Sequence, residues 1–287
     1  MFTKKLLPIL MLGIVSLNFT ACSDSDEPKE NEDPSVLIKG SGEKFKHRVA
    51  AEDFTGAWCV YCPRVSYAID ESEKVNGDKF VASGLHIGDL SASSQYHDPY
   101  NYSPVTALEK ALKVTGYPTA YINRDKKWKG PENNNINYPL ELYKTTSSVG
   151  IKVESTLGAS SGTAKVSLKF GEDIKQQLKY VVYVQEDGLV YRQANGTSLY
   201  GNDTGKGRWE MNFVHNNVVR AGTEIMGTDI AKDKVTNSEI NLDNLSFNYT
   251  SVDASKLEIT VLVLDADGKV INARTVKGNS ASDYEKM

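Results

Sequence analysis

Two cysteines separated by two residues, Cys59 and Cys62, lie in the stretch Phe54-Thr55-Gly56-Ala57-Trp58-Cys59-Val60-Tyr61-Cys62-Pro63. The spacing puts both sulfurs within disulfide reach, and the stretch falls between an expected strand and an expected helix. A helix N-terminus presents unpaired N–H groups and the positive end of the helix dipole, which favour a thiolate over a thiol. Such surroundings lower a cysteine pKa from about 8.5 to between about 3.5 and 7.5. Cys59, at the exposed start of the turn, is the expected nucleophile. Cys62, one turn in, is the expected resolving thiol that releases a mixed disulfide. The chemistry is thiol–disulfide exchange. The alternative is a disulfide that only staples the loop. Zinc sites use the same spacing but need four ligands. The chain has three cysteines, no second Cys-x-x-Cys, and four histidines (His47, His86, His97, His215) without ligand spacing. No metal site and no cofactor is expected.

Such a pair must be held by a strand before it and a helix after it. Arg48 to Phe54 reads as a strand that stops at Thr55-Gly56. Residues 64–75 place Val65, Ala68, Ile69 and Val75 near helical spacing, and Pro63 suits the first turn of a helix. Phe80 to Ile87 reads as a second strand. Ser103-Pro104 opens a second helix with Val105, Leu108, Ala111 and Leu112 on one face, ended by Gly116. Thr119 to Asn123 is a third strand, and Asp125-Lys126-Lys127 turns it into a fourth around Trp128. Residues 138–147 suit a last helix.

Three further residues bear on the cysteine pair. Trp58 precedes Cys59, Asp53 lies six residues before it, and Tyr117-Pro118-Thr119 opens a strand. With the order of elements, this resembles the thioredoxin superfamily over roughly residues 44–147. The resemblance implies that Pro118 is cis and lies against the disulfide, and that the backbone of Tyr117 pairs with a substrate strand. It implies that a buried carboxylate serves as proton acceptor for the second cysteine, and the ungapped match is Asp53. Glu52 is adjacent, and alternation along a strand sends only one of the two inward. Trp58 and Tyr61 are expected to shape access for the substrate. The Val60-Tyr61 spacer leaves open whether the site reduces, oxidises or isomerises.

After about residue 149 strand-like runs follow one another, at 149–157, 163–170, 178–186, 189–193, 208–219, 240–248, 256–265 and 269–276. Asp187-Gly188 and Asp267-Gly268 mark tight hairpins between them. Seven or eight short strands favour an all-β sandwich of the Ig-like kind. The expected fold is therefore an α/β thioredoxin-like domain, residues 44–148, followed by a β-sandwich domain, residues 149–287.

The N-terminus reads as a targeting segment. Lys4 and Lys5 precede the apolar stretch Leu6 to Leu17, which is too short to span a bilayer comfortably. Thr20-Ala21-Cys22 resembles a lipobox, so residues 1–21 are expected to be a lipoprotein signal peptide and Cys22 the lipidated residue. Acyl chains on Cys22 contribute about 0.8 kcal/mol per buried CH₂ to anchoring. Residues 22–43 are an expected acidic tether; 23–36 carry six acids and almost nothing apolar. Ser23-Asp24-Ser25-Asp26-Glu27 resembles the acidic export signal of surface lipoproteins in the Bacteroides phylum. The net charge of −4, with Lys and Arg scattered, gives no footprint for nucleic acid.

Taken together with Phe213-Val214-His215-Asn216-Asn217-Val218-Val219-Arg220-Ala221, these features resemble a family of Bacteroides-phylum outer-membrane lipoproteins named for a twenty-eight-kilodalton member. The resemblance implies an outer-membrane protein held by lipid on Cys22, facing the cell surface. The expected activity is that of a thiol–disulfide oxidoreductase, with thiols or disulfides of exported proteins, or a redox partner, on the other side. The alternative is a binding or adhesion lipoprotein whose β-sandwich takes a peptide, glycan or host protein. His215, Asn216, Asn217 and Arg220 are expected to bond neighbouring loops, and His97 to Tyr102 to form a surface loop.

Overall fold

In the first half of the chain, β1 (Phe45–Lys46) and β2 (Val49–Thr55) precede α1 (Pro63–Asn76), β3 (Phe80–His86), α2 (Val105–Leu112), β4 (Thr119–Ile122), β5 (Lys126–Lys127), α3 (Tyr138–Glu141) and β6 (Thr146–Ser147). The second half is strands: β7 (Val149–Leu157), β8 (Ser161–Phe170), β9 (Leu178–Glu186), β10 (Leu189–Asn195), β11 (Arg208–His215), β12 (Val218–Gly222), β13 (Thr228–Ile230), β14 (Glu239–Asn248), β15 (Leu257–Leu264) and β16 (Val270–Lys277). This computed structural model describes residues 42–131, 135–231 and 234–287. The expected signal peptide, Cys22 and the tether as far as residue 41 lie outside the described residues. Among the described residues, no helix is long and apolar enough to cross a membrane.

The fold is mostly β-sheet with few helices, and one sheet runs through both halves. Its order is β16-β15-β9-β12-β3-β2-β4-β5, with β13 added to β9. β2 and β3 are parallel, β4 is antiparallel to β2, and β12 joins β3 through Val218 opposite Gly84. A change of texture near residue 149 is therefore not a break in the sheet, and the described residues fall in one compact unit, Ser41–Met287. A second sheet, β14-β8-β7, packs Val153, Val166 and Phe247 against Val182, Val184, Ile259 and Val261 of the first.

All seven residues of β2 are buried, because the sheet is covered on both faces. Val49 and Ala51 meet Val65, Ala68 and Ile69 of α1 on one face. Ala50 and Phe54 meet Val105 and Leu108 of α2 and Tyr183 of β9 on the other. The expectation that only one of Glu52 and Asp53 turns inward is corrected by this: both are buried, on opposite faces.

Several boundaries differ from the sequence reading, for local reasons. Val75 is exposed, and Ser72 and Asn76 complete the inner face of α1 instead. α2 stops at Leu112, where Lys113 takes the left-handed cap, before Gly116. The turn between β4 and β5 spans Asn123 to Asp125, with Asn123 and Arg124 both at positive φ. α3 is one turn only. Asp187-Gly188 does not make a hairpin: β9 pairs with β12, β13 and β15, while β10 pairs with β11. Asp267-Gly268 does join paired strands, β15 and β16.

Candidate functional site

Cys59 and Cys62 form a disulfide, with Cα atoms 5.3 Å apart. The loop that carries them leaves the carboxyl end of β2. Cys59 N–H donates to the Gly56 carbonyl at 2.9 Å, and Cys62 is itself the residue that caps α1, its carbonyl accepting from Val65 and Ser66. The pair therefore stands at the amino end of a 14-residue helix, where a thiolate is favoured. Gly56 is needed here: a Cβ would lie 2.7 Å from the Trp58 indole nitrogen and from the Ile87 carbonyl.

Trp58 is locked in place. Its indole N–H donates to the Ile87 carbonyl at 2.8 Å, and its ring packs edge-on between Tyr96 at 5.1 Å and Tyr117 at 5.4 Å. Tyr117 and Pro118 are half-buried, their peptide bond is cis, and the Tyr117 hydroxyl donates to Glu109. Trp58 thus brings the loop before Cys59 together with Tyr117, which the sequence places 59 residues after Trp58. The expectation that Cys59 stands exposed is corrected here: Val60 and Tyr61 are exposed at 41% and 55%, whereas Cys59 and Cys62 are only 3% and 1% exposed.

Part of that cover comes from the far half of the chain. Ala194 N–H donates to the Ala57 carbonyl and Gly196 N–H to the Val60 carbonyl, both at 2.8 Å, like rungs of a sheet. The Gln193 amide donates to the Cys59 carbonyl at 2.9 Å and the Gly56 carbonyl at 3.3 Å. At Gly196 a Cβ would meet Val60 Cγ1 at 2.4 Å, so a side chain there would have to push Val60 aside for the strap to lie this close.

Asp53 sits on β2 between Gly84 of β3 and Ala120 of β4. It is buried, its Oδ1 has no hydrogen-bond partner among the described residues, and burial pushes its carboxyl well above the ordinary carboxylate range. Glu52, on the opposite face, is held by the Arg124 guanidinium at 2.7 and 2.8 Å and by the Tyr183 hydroxyl at 2.8 Å. That pairing makes Glu52 a structural group and leaves Asp53 as the unpaired one.

Residues that the sequence reading assigned to ordinary loops also lie around the site, and their pairing to it carried no signal in the sequence. Asp98, wholly buried, accepts Ala57 N–H at 2.7 Å and contacts His86 Nδ1 at 2.8 Å through one oxygen, and accepts Tyr100 N–H at 2.8 Å through the other. The charge of His86 and these hydrogen bonds outweigh burial and hold the Asp98 carboxyl below its usual range. The loop around Asp98, expected at the surface, is thus an anchor of the cysteine loop. His215 meets His86 edge-on at 5.3 Å, and burial followed by the charge of His86 lowers its pKa to about 3. Asn216 accepts from Gly188 N–H, Asn217 N–H donates to Asp187, and Arg220 donates to the Thr250 carbonyl, all ties between loops. Among the described residues, no group of three His, Cys, Asp or Glu side chains is placed to hold a metal ion.

A family model described as outer membrane protein Omp28 matches residues 105–282. Among solved structures, HBP35 of Porphyromonas gingivalis superposes with a TM-score of 0.61 at 19% identity, covering 83% of this chain and 77% of that one; the likeness is one of fold. Two proteins named foldase protein PrsA, from two Clostridium botulinum strains, are 27% and 28% identical over 177 residues, 61% of this chain. The chain spans 46% of the length of those relatives, less than half.

Proposed function

The chain belongs to the Omp28 family of outer membrane proteins, and on that premise we propose that it is a lipoprotein anchored through Cys22 that exchanges thiols and disulfides with exported proteins or a redox partner at the cell surface. The observation that carries the reading is a Cys59–Cys62 disulfide at the amino end of α1, fed by a central strand that also bears a buried, unpaired carboxylate. The order β3-β2-β4-β5, with β2 and β3 parallel and β4 antiparallel, supports a thioredoxin-like unit around the pair. In this reading Cys59 attacks, Cys62 resolves and Asp53 takes the Cys62 proton. Trp58, Tyr61, Tyr117 and Pro118 form the surface on which a substrate strand lies.

The test is reduction followed by alkylation at neutral pH, with Cys62→Ala used to trap partners. Cys59 is expected to alkylate rapidly, and the variant to accumulate mixed disulfides on envelope extracts. The reduction potential sorts the direction: about −120 to −180 mV for an oxidant or isomerase, about −270 mV for a reductase. Inert Cys59, or a potential well below about −300 mV, would end this reading.

A second reading is favoured by the burial of both cysteines under the 193–196 strap. Here the disulfide is a staple, and the β-rich half binds a peptide, glycan or host protein. A Cys59→Ala, Cys62→Ala double variant then keeps its fold and its cell-surface binding; loss of binding in a folded double variant excludes it.

A further inference from the structure

Exchange at Cys59–Cys62, the reading on which this inference rests, moves protons as well as electrons. In the closing half-reaction Cys62 gives its thiol proton to Asp53. The resulting thiolate attacks the Cys59 sulfur of the mixed disulfide. The Cys59–Cys62 bond forms, the bond to the partner breaks, and the partner leaves as a thiolate with the electron pair. Burial makes Asp53 hold its own proton more tightly than an ordinary aspartate does, so it must release that proton to solvent before it can take the one from Cys62 and let the ring close. Buried as it is, it needs a route.

Two adjoining spaces supply one. Asp53 lines a cavity of about 30 Å³ together with Thr55, His86 and His215, and such a volume holds a water. Beside it lies an open groove of about 490 Å³, lined by Tyr200, Glu210 and Met211. The two spaces share Asp70, Phe213, Val214 and Asn216 as walls, so Asp70 stands at the neck between them. Its Oδ2 accepts the Tyr200 hydroxyl at 2.9 Å, and the Tyr200 ring is pinned against Phe213 at 4.8 Å and Tyr67 at 6.2 Å. The geometry points to Asp70, oriented by Tyr200, as the group that passes the Asp53 proton to solvent through water in the cavity. Asp70 acts only through Asp53, as a positioning residue.

The surroundings fit that task. Asp53 faces the neck from β2, His86 from β3, His215 and Glu210 from β11, and Tyr67, Glu71 and Lys74 accompany Asp70 on α1. Burial raises the Asp70 carboxyl above its usual range, against the Tyr200 hydrogen bond that lowers it. Asp70 therefore lies closer to Asp53 in proton affinity than an exposed aspartate does, and a proton moves between groups most readily when their affinities are similar.

The probe is the reduced full-length protein mixed with dithiobis(nitrobenzoate). The first equivalent of thionitrobenzoate reports attack by Cys59, and the second reports closure by Cys62. Asp70→Asn is expected to slow the second phase by about a hundredfold and leave the first unchanged, with imidazole in the buffer restoring the rate. Tyr200→Phe is expected to slow the same phase by a smaller factor. An Asp70→Asn second phase at the wild-type rate, in a protein where Asp53→Asn slows it, overturns the relay and leaves the exchange reading standing. Slowing of both phases, or slowing that imidazole does not relieve, also overturns it, in favour of a structural role. Absence of a second equivalent from the wild-type protein removes the exchange reading itself.

Discussion

Two adjacent buried carboxyl groups, Glu52 and Asp53, differ in what holds them among the described residues. Neighbouring Glu52 has an arginine and a tyrosine; Asp53 has an oxygen without a partner in a water-sized cavity. Its folded-state pKa lies above the unfolded value, so the folded chain holds its proton more tightly. Stability from this group is full below about pH 3.9 and is lost as pH rises toward the folded pKa. Asp53→Asn, of the same shape and without the charge, is expected to melt a few degrees above the wild type at pH 8 and to match it near pH 3. Thermal melts across that range check it, and a variant that melts lower at pH 8 would contradict the assignment.

At the scale of elements, the strap from β10 is the feature with the clearest consequence. Three hydrogen-bonding residues, Gln193, Ala194 and Gly196, hold it on the cysteine loop, and the disulfide beneath is nearly closed to solvent. Each neutral hydrogen bond contributes about 0.5–1.5 kcal/mol net. Gln193→Ala removes the amide that bridges Gly56, Cys59 and the strap's own Ala194. Reduction of the disulfide by dithiothreitol is expected to quicken by about threefold to tenfold, the kinetic equivalent of that contribution. An unchanged rate would show that the strap does not limit access. Asp98 anchors the same loop from the opposite side, at Ala57 N–H, so the two supports are separable by mutation.

At the scale of the molecule, the question is why the chain does not divide at residue 149. β12 adds to β3 and β9 adds to β12, so strands of the far half extend the near half's sheet. Between the halves lies a buried ion pair, Glu52 with Arg124, closed by Tyr183 and by the Ile225 carbonyl. Arg124 adopts a positive φ of 54° to reach it, a conformation that L-residues adopt at a cost. Glu52→Gln leaves the guanidinium buried without its counter-charge, and a loss of about 3–5 kcal/mol is expected in urea unfolding. Glu52→Leu with Arg124→Met is expected to recover much of that loss, because burying the pair is itself costly. A fragment of residues 44–148 exposes the face of β2 that Tyr183 and Val181 cover. It is expected to lack the slow amide exchange that β2 shows in the whole chain, and full protection in the fragment would contradict the single-sheet account.

The sequence by itself determined what depends on neighbours along the chain. Cys59-x-x-Cys62 closes a short loop, Pro63 starts a helix, and alternating apolar runs make strands wherever they fall; these are local preferences of φ, spacing and burial pattern. The boundaries of β7 and β9 follow directly from such runs. Only the tertiary structure decided which strands meet. Asp187-Gly188 looks like a hairpin because turn chemistry is local, yet pairing is won by long-range burial, and β9 goes to β12, β13 and β15. For the same reason no periodicity announces that Glu52 and Asp53 are both covered, that His86 meets Asp98, or that Tyr200 reaches Asp70 across 130 residues. The cover that Tyr183 gives Glu52 and the reach of Tyr200 to Asp70 join the two halves of the chain, and a sheet shared between the halves leaves no mark in either half read alone.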